Sequence, residues 1–204
     1  MDKQIMVTYI DDKYDNDLSR YLNNLNFSDM EIITKEVIFN SRKENYITLL
    51  DNENVKFADI IIIDSKLFEH NNVGEKFSGE EFKMIYTTAH PYSKVIVISQ
   101  NDDLEKYGTI KKYDSTVQGV TSREFYDENL RTLIHKNGKE IFQKRNILKM
   151  LQKNSAAYKD SLIVEKVNEL MNGASSYKDL TDEKIDTLIE LIENNLKPLI
   201  NGDK

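Results

Sequence analysis

Five side chains stand where an open parallel α/β sheet would gather chemistry. Asp11 and Asp12 follow a first apolar run, Asp64 a third, Ser99 ends a fourth, and Arg123 follows a fifth. Ligands of such sheets sit beyond the carboxyl ends of the strands, so three carboxylates, a hydroxyl and a cation are expected in one crevice. Carboxylates crowded together repel unless a hard cation binds them. Mg2+ suits the set, because it takes one or two protein carboxylates and keeps several waters. A hydroxyl and a cation facing the third carboxylate suit a phosphoryl group carried on it. The expected chemistry is therefore Mg2+ held by Asp11, Asp12 and Asp64, with a phosphoryl group on Asp64 met by Ser99 and Arg123.

The elements that must position these residues alternate along the first two thirds of the chain. QIMVTYI (4–10) is a β-rich apolar run, and residues 15–25 then place Leu18, Tyr21, Leu22 and Leu25 at helical spacing. EIITKEVIF (31–39) reads as a second strand, and Ser41 with Glu44 as a capping box for a helix through Tyr46, Leu49 and Leu50. ADIIIID (58–64) has the unbroken apolar character of a strand covered on both faces. Ser78 with Glu81 opens another helix, which carries Phe82, Ile85 and Tyr86 and breaks at His90-Pro91. KVIVIS (94–99) is a fourth strand, Asn101 caps a short helix ending near Gly108, and TVQGVTS (116–122) reads as a fifth strand. A helix with Leu130, Leu133 and Ile134 then stops at Asn137-Gly138. Five βα units in succession give a doubly wound five-stranded parallel sheet, flavodoxin-like in class.

Beyond Gly138 the pattern is helical throughout: 139–153, 155–171 and 180–200, the last with apolar residues on more than one stripe. The organisation expected is an α/β domain over 1–137 and a small all-α domain over 138–204. The surplus apolar surface of the last helix, Ile185 to Ile200, points to pairing of two chains as a homodimer.

Composition narrows the function classes. The chain has 204 residues, 39% of them hydrophobic, and no cysteine, which removes disulfides, thiolate metal sites and thiol nucleophiles. No apolar run approaches a membrane span and the N-terminus lacks a signal-peptide pattern, so a soluble, cytoplasmic protein is expected. The net charge of −7 resides in residues 1–126, with 15 Lys/Arg against 22 Asp/Glu, while residues 127–204 carry 13 of each. Within the latter, 131–153 is locally basic. Lys144, Arg145, Lys149 and Lys153 could meet nucleic acid, although a solvated face or a dock for an acidic partner explains them better. His70, His90 and His135 lack metal-ligand spacing, and no Walker, G-x-S-x-G or G-x-G-x-x-G motif occurs.

The carboxylate–hydroxyl–cation set resembles the receiver domain of two-component response regulators, over residues 1–137. In that family an acidic pair after strand 1 holds Mg2+, and an aspartate ending strand 3 accepts phosphate from a histidine kinase. A Ser or Thr ending strand 4 and a Lys after strand 5 contact the phosphoryl oxygens. The resemblance implies Asp11 and Asp12 as the acidic pair, Asp64 as phosphoacceptor, Ser99 as switch hydroxyl and Arg123 in the place of the Lys. It departs at Glu124, where a Pro follows that Lys, at Leu67-Phe68, where Met-Pro is usual, and at Val120, in place of the strand 5 aromatic. The function implied is a non-enzymatic signalling module that passes phosphorylation of Asp64 to its helical domain. Two alternatives stay open: a phosphate-independent pseudo-receiver acting as an interaction scaffold, and a Mg2+-dependent phosphoryl-transfer enzyme. An aspartate-nucleophile phosphatase would usually carry an acid two residues on, where this chain has Lys66.

Overall fold

A computed structural model describes residues 3–40, 42–67, 78–100, 109–116 and 119–154. The chain divides into two units, Met1–Gly173 and Ala174–Lys204, and all described residues belong to the first. The expected helices at 101–108, 155–171 and 180–200, His70, and the apolar stripe read as a dimer surface lie outside the described residues.

The strands are β1 (Gln4–Asp11), β2 (Glu31–Ile38), β3 (Ile60–Asp64), β4 (Lys94–Ser99) and β5 (Ile110–Lys111). They form one sheet in the order β2-β1-β3-β4-β5, and every pairing is parallel. This is the doubly wound, receiver-like α/β architecture, whose topological switch point lies between β1 and β3. The helices are α1 (Asn16–Asn23), α2 (Tyr46–Asp51), α3 (Glu53–Lys56), α4 (Gly79–Ala89), α5 (Ser122–Tyr126) and α6 (Thr132–Asn154).

Alternation along each strand divides the core. Ile60 and Ile62 of β3 pack with Tyr9, Leu18, Leu22, Leu130 and Ile134 on one face. Ile61 and Ile63 pack with Leu49, Val55, Phe82 and Tyr86 on the other. All four isoleucines are fully buried, each contributing roughly 1.5–3 kcal/mol by removal of its side chain from water. A short, β-branched apolar run without polar alternation suits a strand covered on both sides, which is why β3 is legible in the sequence.

Local signals place the helix starts. Asp15 accepts the Asp17 and Leu18 amides and opens α1. Ser78 and Glu81 form the reciprocal capping box expected for α4, each side chain accepting the other's backbone amide. Ser78→Ala should therefore lower stability by about 1 kcal/mol, the usual loss for a missing N-cap, as read by urea unfolding. No change would mean that α4 is held by packing alone.

Three expectations are corrected. The helix after β2 starts at Tyr46 through an Asn45–Thr48 capping box, and Glu44 instead accepts the Asn40 amide. The fifth strand is Ile110–Lys111 rather than 116–122. Ile110 pairs with Ile98, while Gly119 adopts φ +97 and Thr121 caps α5, so the described residues 119–122 turn and open a helix where a strand would extend. Val120 accordingly lies outside the sheet, 42% exposed. Finally, no helix ends at Asn137-Gly138. A π-helical turn at Asp127–Arg131 leads into α6, which runs through Gly138 to Asn154. A Cβ on Gly138 would stand 2.8 Å from the Met30 sulfur, so this glycine gives close approach between α6 and Met30. Ile141, beyond it, belongs to the same core as Ile5.

Candidate functional site

The carboxyl ends of β1 and β3 bring Asp11 and Asp64 to the switch point. Strand alternation puts both on the α1/α6 side: Asp11 follows Val7 and Tyr9, and Asp64 follows Ile60 and Ile62. Between them lies the ammonium of Lys112, one residue past β5. Its Nζ donates to Asp11 Oδ2 at 2.6 Å and pairs with Asp64 Oδ1 at 2.9 Å. The side chains of Lys112, Asp11 and Asp64 are only 11%, 3% and 12% exposed, which makes this a buried ion group rather than a surface pair.

Each carboxylate also accepts from neighbouring donors. Asp11 accepts the Tyr9 hydroxyl and, at 3.2 Å, the Lys13 amide. Asp64 accepts the Lys66 amide at 2.8 Å. Burial pushes the Asp11 carboxyl up, but the Lys112 ammonium and the Tyr9 and Lys13 donors outweigh it and hold the group below its ordinary range. For Asp64 burial wins over Lys112, and the neighbouring Asp11 charge adds to it, so its carboxyl lies above the ordinary range. Burial alone would lower the Lys112 ammonium, yet the Asp64 and Asp11 carboxylates together raise it. Burial and the Asp11 charge drive the Tyr9 phenol far above its ordinary value, so it stays a donor.

Asp12 is half-buried directly after β1, and Ser99 is buried at the end of β4. Asp11, Asp12, Asp64 and Ser99 thus all lie at the expected strand ends. Arg123 does not. It sits within α5, beyond the true fifth strand, which ends at Lys111 where an end at Ser122 was expected. Glu124 is the capping partner of Thr121 and does not follow the site lysine, which is followed by Tyr113. The missed residue is Lys112. The available signal was a pair of lysines, Lys111-Lys112, after Thr109 and Ile110, a segment too short to show periodicity.

Of the remaining sequence candidates, His135 pairs with Asp29 at 2.8 Å and stacks on Phe27, and His90 stacks on Tyr86, both away from the carboxylates. Arg145 is drawn onto Asp59 and, at 3.1 Å, the Gln4 carbonyl, while Lys144 reaches the Pro91 carbonyl and the Tyr92 ring. Two of the four basic residues considered for nucleic acid are thus turned onto the protein itself, and Lys149 and Lys153 are exposed. Among the described residues no helix is long and apolar enough to cross a membrane.

Among the described residues no three His, Cys, Asp or Glu side chains are gathered as metal ligands. Two carboxylates are nevertheless what Mg2+ ordinarily takes from a protein, with waters completing its shell. Asp11 and Asp64, with Asp12 beside them, supply the hard oxygen donors for that, and Lys112 offsets one of the three negative charges.

No family model matches the chain, and no curated protein matches it. Among solved structures, a two-component transcriptional regulator AraC from Clostridium phytofermentans ISDg is similar over 70% of this chain and 98% of its own, with 14% identity and a TM-score of 0.44.

Proposed function

We propose that the described domain is a regulatory receiver-like module in which Asp64 accepts a phosphoryl group. The observation that carries this reading is the Lys112 ammonium held between Asp11 and Asp64 at the switch point. A fixed, desolvated cation beside the acceptor stabilises negative charge that develops there more than a solvated one would. Its place one residue past β5 is also that of the receiver lysine. Lys112 therefore takes over the role expected of Arg123, and Ser99 supplies the hydroxyl from β4. Mg2+ would be held by Asp11, Asp12 and Asp64, and would supply neutralisation of phosphoryl oxygens in the crevice. The phosphodonor in this reading is a histidine kinase or a small phosphodonor. The output passes along α6 to the chain beyond it, with the chain acting as a homodimer.

Incubation with acetyl phosphate and Mg2+ should add a single phosphoryl mass to the intact protein, and Asp64→Asn should abolish it. Absence of label, while a control receiver reacts in the same buffer, would remove this reading. It would favour the second one, a pseudo-receiver scaffold. The observation behind that alternative is the same ion group, since Lys112 already provides the two buried carboxylates with an internal counter-ion.

A further inference from the structure

A second polar assembly stands at the carboxyl edge of the sheet, on the face opposite Lys112. Glu80, in the first turn of α4, accepts the Ser65 hydroxyl at 2.9 and 2.8 Å on its two oxygens. Its Oε1 also accepts the Thr109 hydroxyl at 2.9 Å. Both hydroxyl residues are buried. Ser65 directly follows Asp64, and Thr109 directly precedes β5, so one carboxylate reaches across the strand that Ser99 ends. The helix is pinned there by the Gly79 amide, which donates to the Ser65 carbonyl at 3.0 Å. Glu80 is not needed to start α4, because Ser78 and Glu81 already form its cap.

We propose that Glu80 is a positioning residue that limits the rate at which Asp64 accepts a phosphoryl group, an inference that rests on the phosphoacceptor reading above. In the unmodified protein its carboxylate engages the Ser65 and Thr109 hydroxyls and fixes a negative charge one residue from the acceptor. Hydrogen bonds to an ionised acceptor are about twice as strong as neutral ones, so Glu80 holds the Ser65 and Thr109 side chains firmly at that edge. The phosphoryl group adds further negative charge at the same sheet edge, one residue from the Ser65 that Glu80 holds, and such repulsion is stronger in a partly desolvated site than in water. In the transfer itself an Asp64 oxygen bonds to phosphorus. The phosphorus–oxygen bond to the acetyl group breaks, and acetate leaves with the electron pair.

The test uses the full chain with acetyl phosphate and Mg2+, following label by intact mass over time. Glu80→Gln keeps the size and removes the charge, and should label Asp64 about tenfold faster than the parent chain. Thr109→Val loosens the hold on Glu80 while keeping its charge, and should give a smaller gain of about threefold. Melting curves establish that each variant is folded, with Glu80→Ala as the replacement if Glu80→Gln is not. Label that appears in the parent chain and faster in the Glu80 variants, and that Asp64→Asn removes, supports the proposal most strongly. Equal rates for Glu80→Gln and the parent chain overturn it and leave the phosphoacceptor reading intact. A gain with Thr109→Val as large as with Glu80→Gln also overturns it, because loosening rather than charge would then set the rate. No label in any variant, with a control receiver labelled, overturns the phosphoacceptor reading and the role of Glu80 together.

Discussion

Lys112→Met is expected to lower stability at neutral pH by about 3–5 kcal/mol, the loss typical of breaking a buried ion group from one side. The substitution keeps the aliphatic stem and removes the charge, leaving Asp11 and Asp64 buried without the cation both contact. Two unpaired carboxylates at one site cannot both remain ionised cheaply, so one should take up a proton. The loss should therefore be largest near pH 7 and shrink towards pH 4. A Lys112→Met/Asp64→Asn double substitution should recover a substantial part of it.

In the parent chain the linkage has three parts. The Lys112 ammonium is raised, so its stabilisation is complete below the ordinary lysine range near ~10.4 and is lost as pH rises through the folded value. The Asp11 carboxyl is lowered, so its contribution is present above the ordinary range near ~3.9 and is lost as pH falls through the folded value. The Asp64 carboxyl is raised and acts oppositely, favouring the fold below that range and opposing it once ionised. Urea unfolding followed from about pH 2 to about pH 12 reads all three contributions. A loss under about 1 kcal/mol at pH 7 for Lys112→Met, typical of a solvated surface pair, would show that the three groups are not coupled as a buried unit.

The second large effect is expected at Gly79. A Cβ there would lie 2.7 Å from the Asp64 carbonyl oxygen, 3.0 Å from the Ser65 Cα and 3.2 Å from the Asp64 carbonyl carbon. All three are backbone atoms, so none can swing aside. Gly79→Ala must push α4 from the end of β3 or displace the acceptor's own backbone, and overpacking of this kind costs about 1–3 kcal/mol. The helix-propensity gain, at most about 1 kcal/mol and smaller at a first-turn position, does not offset it. Acyl-phosphate formation at Asp64 should fall together with stability, since the bond from the Gly79 amide to Ser65 is strained by the same movement. Gly138→Ala is the control. Its Cβ would meet the end of the Met30 side chain, which can move, so the loss should be clearly smaller. Equal melting temperatures for Gly79→Ala and the parent chain would contradict the close approach of α4 to Asp64.

What the chain makes legible on its own is whatever short-range chemistry dictates. The unbroken apolar runs of β3 and β4 have no partly solvated alternative, and Ser78 and Glu81 are three residues apart, so their reciprocal bonds form whenever that turn is helical. Asp11, Asp12, Asp64 and Ser99 follow directly, because each is placed by the end of a strand that the sequence already delimits. Other features depended on tertiary structure. A two-residue edge strand has no periodicity of its own, and β5 is placed by the pairing of Ile110 with Ile98 and by the two buried carboxylates that Lys112 contacts. Asn137-Gly138 has the composition of a helix end, but the contact of Gly138 with Met30 and the burial of Ile141 beside Ile5 carry α6 through it. Capping and hydrophobic runs act over a few residues, whereas the partner of a charge or the neighbour of a glycine is selected across the folded chain. For that reason the acidic half of the site could be read from the sequence, while its lysine was found only in the fold.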